Sequence, residues 1–382
     1  MSLIRIPAVY MRGGTSRALF FHQRDLPAER AAWDAIFCAA LGSPDPNGRQ
    51  LDGMGGGISS LSKVAVIGPP SRDDADVDYT FAQVQVTEAL VGYRGNCGNI
   101  SSAVGPFALE EGLVAASGDR ATVRIHNTNT RKVIVAEFPL RDGLLDPDGD
   151  FALQGIGGTA APIRLAFREP GGAATGRLLP SGEARQVLEV EGLGALEVSL
   201  VDAANPVVFV AAETLGLTGS EKPDALTADP ARLAQFEAIR VAAAVAMGLV
   251  GEAEEARRKV KNVPQVMLVA PPRDAPSATG ATLRAEEMDV LVRAVSAGLP
   301  HKATPLTGAM CLAVAARIPG SLPQRLARPR SESEDLRVAH PSGILPVAAR
   351  TRVEDGAVIA EEAVVYRTAR RLMEGRVLAR LP

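Results

Sequence analysis

The chain has 382 residues, enough for two domains and too many for one ordinary core. Its 46% hydrophobic and 22% charged residues form an average globular mixture, which excludes disordered, collagen-like and coiled-coil classes. A net charge of −3, one Trp and four Tyr supply neither the field nor the stacking platforms of a nucleic-acid binder, so no such partner is expected.

The first seven residues lack a charged segment followed by an apolar one, and the apolar stretch 241–250 is too short to span a bilayer. A cytoplasmic protein without a membrane partner is expected. Residues 9–21, 62–67, 79–86 and 121–126 carry β-branched or alternating patterns and read as strands. Within the first lies Arg12-Gly-Gly-Thr-Ser16, a glycine-hinged run whose guanidinium, hydroxyls (Thr15, Ser16) and amides suit a carboxylate. Residues 95–112 begin as a small polar loop and continue as a helix apolar on nearly every side, with Gly112 as its stop. Such a helix is expected inside a wrapped sheet.

The second half repeats this plan. Residues 199–210 read as a strand carrying a polar turn. Asp229 and Pro230 cap a helix running to about Met247, and residues 266–270 form a buried-type strand. Residues 301–316 again lead from a polar loop into an apolar helix. Registering Gly98 on Gly308 sets Ala103 against Ala313 and Val104 against Val314, an internal duplication. The Gly/Pro-rich stretch 171–182 supplies the linker. The expected domains are 1–182 and 183–382, with the last strand free to return to the first.

Three scattered cysteines and four unpaired histidines give no disulfide framework and no metal-ligand spacing. Cys97 is the foremost chemical candidate, because at a helix N-terminus the free amides and the dipole favour a thiolate. Asn96, Gly98 and Asn99 make its setting polar, unlike that of a buried structural cysteine, and Cys38 and Cys311 read as core. Lys63 follows Ser59, Ser60 and Ser62 and precedes an apolar run. Spacing alone favours a solvated strand-end lysine; a buried one would have a lowered pKa and act as a base. His301 and the run His340-Pro-Ser-Gly343 offer weaker second-half ligands. No P-loop, dinucleotide fingerprint or nucleophile elbow is present.

Tyr10-Met-Arg-Gly-Gly-Thr-Ser16, Gly42-Ser-Pro-Asp-Pro46, Gln50-Leu-Asp-Gly-Met-Gly-Gly56, Ser62-Lys63, Gly95-Asn-Cys-Gly-Asn99 and His340-Pro-Ser-Gly343 together resemble the PrpF family. That family includes 2-methylaconitate cis-trans isomerases, 3-methylitaconate Δ-isomerases and 4-oxalomesaconate tautomerases. His126-Asn-Thr-Asn-Thr130 and Ala203-Ala-Asn-Pro206 look most like the methylitaconate branch. The resemblance implies an α+β, diaminopimelate-epimerase-like fold: two pseudo-symmetric lobes, each a curved mixed sheet around a central helix. It also implies cofactor-independent proton transfer, with the family's lysine and cysteine falling on Lys63 and Cys97. The sequence departs from the family at Arg17, usually lysine, at Glu183 in Pro180-Ser-Gly-Glu183, and at Pro305-Leu-Thr-Gly308.

The expected activity is a 1,3-allylic proton shift in a small unsaturated di- or tricarboxylate, by a monomer or homodimer, with no metal or organic cofactor. Arg12, Thr15, Ser16, Ser60, Ser62, Asn96, Gly98 and Asn99 are the expected substrate contacts of the first lobe. His301, Thr307, Gly308 and Ala309 are those of the second. Oxalomesaconate tautomerisation, or a non-catalytic carboxylate-binding role beside a dehydratase, are the alternatives. Two-thiol epimerisation is disfavoured, because Thr307 stands opposite Cys97 in the duplicated register.

Overall fold

A computed structural model describes residues 2–93, 95–331 and 333–381. The chain divides into two compact units, Met1–Arg168 with Tyr366–Pro382, and Glu169–Val365. Among the described residues no helix is long and apolar enough to cross a membrane.

The first unit contains β1 (Ser2–Gly13), β2 (Ser16–His22), α1 (Trp33–Leu41), β3 (Lys63–Gly68), β4 (Val77–Val84), α2 (Gly98–Glu110), β5 (Arg120–Asn127), β6 (Lys132–Arg141) and β7 (Ile163–Arg168). The segment 9–21, expected as one strand, is two: β1 and β2 pair antiparallel around a turn at Gly14 and Thr15. Gly14 takes the left-handed conformation that this turn needs (φ +52°). The sheet runs in the order C-terminal strand (Ala369–Leu381), β1, β2, β3, β4, β5, β6, β7. Only β2/β3 and β4/β5 are parallel. The C-terminal strand pairs with β1 from Ser2↔Leu381 to Gly13↔Ala369, so the two ends of the chain close one sheet.

This sheet wraps α2, which packs on β1, β2, β3, β5, β6, β7 and the C-terminal strand. Ile100, Ala103, Val104, Phe107 and Ala108 are all fully buried, as the all-round apolar pattern requires. Each large side chain among them contributes roughly 1.5–3 kcal/mol of burial. A Cβ on Gly105 would lie 2.9 Å from Phe138, so glycine there lets α2 lie against β6. On the other face Trp33, Ile36, Phe37 and Leu41 of α1 pack with Tyr10, Phe21 and Val64.

The second unit comprises β8 (Gln186–Val190), β9 (Gly194–Ala203), β10 (Asn205–Ala211), α3 (Pro230–Ala246), β11 (Gln265–Ala270), β12 (Val290–Ser296), α4 (Leu306–Ala315), β13 (Leu336–His340), β14 (Gly343–Glu354) and β15 (Ala357–Arg367), whose last two residues belong to the first unit. Its sheet follows chain order from β8 to β15, with only β10/β11 and β12/β13 parallel. This is the first unit's succession of strand directions, with α4 holding the place of α2 between the fifth and sixth strands of the sheet order. The segment 199–210 is again a hairpin, turning at Ala204 (φ +60°). Asp229 caps α3 by accepting from the amides of Ala231 (3.0 Å) and Arg232 (3.2 Å), with Pro230 in the first turn.

The chain crosses between units at Arg168/Glu169, ahead of the stretch 171–182. The reason is Asp202. Its buried carboxylate accepts from the amides of Ala174 (2.8 Å) and Thr175 (2.7 Å), and its own amide donates to Leu178. A stretch whose composition suggests a linker is thereby tied into the second unit. Residues 366–382 return to the first.

Candidate active site

Cys97 is the N-cap of α2, half-buried, and its side chain makes no capping bond. The first helical bond runs from the amide of Ser101 to the Cys97 carbonyl (2.9 Å), which leaves the amides of the first turn facing out of the helix. The Asn96 carboxamide oxygen accepts from the Ser101 hydroxyl (3.1 Å) and from Asn127 (3.2 Å), fixing the loop before the cysteine. Asn127 is itself held by Thr130, and Asn129 bonds the backbone of Phe81 and Tyr93. The His126–Thr130 motif thus braces the cysteine loop. Burial raises the pKa of the Tyr79 phenol well above its ordinary value.

Asn99 explains the paired glycines of the first turn. A Cβ on Gly13 would fall 2.5 Å from the Asn99 carbonyl, and one on Gly14 would fall 2.2 Å from its Oδ1. The side chain of Asn99 donates to Thr15 Oγ1 (3.1 Å) and accepts from Arg367 Nε (3.1 Å). Arg12 turns elsewhere: its Nη1 donates to the carbonyls of Gly14 (2.9 Å) and Thr368 (3.0 Å) and to Thr368 Oγ1 (2.9 Å). It fastens the β1–β2 turn to the returning chain. A cavity of about 510 Å³ lined by Arg12, Phe151, Thr368 and Arg370 opens on this unit, and neither Cys97 nor Lys63 lines it.

Lys63 is 7% exposed. The solvated strand-end reading that spacing favoured is overturned, because β4 covers it. Its ammonium donates to Gln83 Oε1 and lies 5.1 Å from the centre of the Phe81 ring. Gln83 is oriented in turn by donating to the carbonyls of Ser62 (2.8 Å) and Ser59 (3.1 Å). Burial lowers the Lys63 pKa, and the charge of Cys97 opposes that shift. The two groups therefore sense each other electrostatically within one unit. Among the serines, Ser62 is buried and accepts from Gln50 (2.7 Å), while Ser60 is half-buried and Ser16 buried.

Sequence reasoning missed Gln83, Asn127 and Arg367. Gln83 sits in a polar-looking strand end with no motif of its own, and Asn127 lies in the His126–Thr130 motif, which was read only for its branch of the family. Arg367 carried one signal, a lone cation closing the apolar run Ala363-Val-Val-Tyr366.

In the second unit, α4 begins at Leu306, with Thr307 in its first turn and Gly308 and Ala309 buried. Counted from the first helical residue, Cys97 matches Pro305, two places from the Thr307 of the sequence register. On either count no thiol stands at this helix start. Cys311 is fully buried and bonds the Val201 carbonyl (3.4 Å), and burial raises its pKa. His301 is exposed, its Nδ1 accepting from the Ala303 amide (3.0 Å). The Ser342 hydroxyl donates to the Lys302 carbonyl (2.6 Å), so the loops of His301 and His340 adjoin. Glu183 is exposed, and Arg17 lies over the Tyr10 ring at 5.6 Å.

The family model of the PrpF protein matches residues 3–380. The chain belongs to the PrpF family. It is 42% identical to the 3-methylitaconate isomerase of Eubacterium barkeri, across 98% of this chain and 97% of that relative. It is 41% identical to the 2-methyl-aconitate isomerase of Shewanella oneidensis, across 98% and 96%. The crystal structure of a methylitaconate-delta-isomerase superposes with a TM-score of 0.93 at 41% identity, covering 99% of this chain and 96% of that one. The fold is the α+β, diaminopimelate-epimerase-like one, and this PrpF protein is an isomerase.

Proposed function

We propose that this PrpF protein moves a C=C bond in a small unsaturated di- or tricarboxylate by a 1,3-allylic proton shift, with a substrate of the 3-methylitaconate type. The observation that carries the reading is a buried lysine, its pKa lowered, sensing the charge of a cysteine at an uncapped helix start. A base removes the allylic C–H proton next to one carboxylate, and the electron pair delocalises through the C=C bond to give a dienolate. An acid returns a proton to the far carbon. No atom is gained or lost, and no oxidant or hydride is involved. Rotation within the dienolate, before the proton returns, would exchange cis and trans.

Lys63 and Cys97 supply the two proton-transfer roles, and Gln83 holds the lysine. The α2 amides are placed to stabilise charge that develops on the carboxylate. Asn96 and Asn99 frame that position, and Thr15 holds Asn99. This chemistry draws on no metal or organic cofactor, so dialysis against EDTA is expected to leave turnover unchanged. The near-equal identities to the methylitaconate and methylaconitate enzymes support the isomerase class, and the His126–Thr130 and Ala203–Pro206 motifs favour the methylitaconate type.

The test is incubation with 3-methylitaconate in D2O. Product carrying deuterium at the newly protonated carbon, with Lys63→Met abolishing both exchange and isomerisation, is the expected result. Hydration or redox products would remove the isomerase reading.

A further inference from the structure

Arg367 is 7% exposed, and no carboxylate of the described residues lies within 4 Å of its guanidinium. Its Nε donates to Asn99 Oδ1 (3.1 Å) and its Nη1 to the Tyr366 carbonyl (2.7 Å). Its Nη2 bonds none of the described residues. A buried guanidinium normally satisfies its charge with a carboxylate and its fork with acceptors, since desolvation of an unpaired cation costs several kcal/mol. This one has no carboxylate, and its Nη2 has no acceptor among the described residues. Burial lowers its pKa to about 10, and Cys97 acts against that shift. Through Asn99 it is pinned to the first turn of α2, whose amides also lack side-chain partners.

We propose that Arg367 is a carboxylate receptor of this site, its Nη2 edge and the first-turn amides of α2 together binding one carboxylate of the substrate. The inference rests on the isomerase reading for its substrate class, though not for the binding itself. It also gives a role to the returning C-terminus, because the segment that closes the first sheet delivers the cation. As negative charge builds on the dienolate, that carboxylate draws more strongly on a donor already fixed by Asn99 and Tyr366.

The experiment titrates tricarballylate, a saturated tricarboxylate that cannot isomerise, into wild type, Arg367→Met and Arg367→Lys by calorimetry. Iodoacetamide inactivation of the unliganded proteins is followed against pH in parallel. The expected result is an affinity loss of about thirtyfold or more in Arg367→Met, the order found when one partner of a buried charge pair is truncated. A smaller loss is expected in Arg367→Lys, with the pH midpoint of Cys97 alkylation unchanged. Undiminished affinity in either variant overturns the proposal, as does a raised alkylation midpoint with normal binding, which would make Arg367 the thiolate's counter-ion. If Arg367→Met fails to fold, Arg367→Lys retains the charge and carries the test through loss of the fork. Tricarballylate binding that depends on Arg367 in a protein unable to isomerise 3-methylitaconate would sink the methylitaconate-type substrate and leave this proposal standing.

Discussion

The two units share one succession of strand directions and one central helix, yet their corresponding positions differ in chemistry. The fourth strand in sheet order opens with Lys63 in the first unit and with Gln265 in the second. The helix that follows starts at Cys97 in the first and at Pro305-Leu-Thr307 in the second. Gln265 occupies the lysine's station: a Cβ on Gly308 would sit 2.4 Å from its Oε1, so the amide lies against the first turn of α4. Neither an amide nor a hydroxyl titrates near neutrality. The duplication copied a scaffold, and the titratable pair stands in one copy.

The sharpest way to break this comparison is to make the first unit resemble the second. Lys63→Gln and Cys97→Thr are each expected to lower turnover about 10²–10⁴-fold, the scale of a positioned acid or base. Thr307→Val should cost less than about tenfold in the same steady-state assay. Unchanged turnover in Cys97→Thr would show that the difference between the copies is not catalytic. Iodoacetamide should inactivate wild type, with substrate protecting.

A smaller effect is expected from Gln83→Leu. This variant removes the acceptor that favours the ammonium form of Lys63, so the lysine pKa falls further. Turnover should drop about tenfold, and the acid limb of its pH profile should move to lower pH if the neutral amine is the base. An unmoved limb would dissociate Gln83 from the lysine.

The stability of the first unit should carry a pH signature from Lys63. Because the folded pKa of Lys63 lies below its unfolded value, the buried ammonium opposes folding below the folded pKa. That opposition fades as pH rises through the folded pKa toward about 10.5. Lys63→Met should therefore raise the denaturant midpoint at neutral pH, with the gain shrinking toward alkaline pH. A gain that grows with pH would contradict the burial argument.

The smallest change expected is in the second unit. Gln265 Oε1 and Thr304 Oγ1 are buried without partners among the described residues, and an orphaned polar atom costs about 1–3 kcal/mol. Gln265→Met should raise Tm by a few degrees, measured by calorimetry. A fall in Tm would mean that the amide is satisfied in solution.

What was legible in the sequence was local. The cap at Asp229, the helix start at Cys97, the burial of α2 and the hairpin glycines all follow from residues within a turn or two of one another. Even the internal repeat was visible, because two buried helices share a Gly/Ala/Val surface for the same packing reason. Burial and charge were decided at a distance. Lys63 looked solvated until β4, twenty residues on, laid Gln83 and Phe81 over it. The apparent linker became part of the second unit through Asp202, 27 residues beyond Thr175. Arg367 meets Asn99 across 268 residues, because the last strand returns to pair with the first. Sequence patterns encode periodicity and caps, which neighbours in the chain read directly. A pKa or an unpaired charge depends on which distant strand excludes the water, and only the closed sheet determines that.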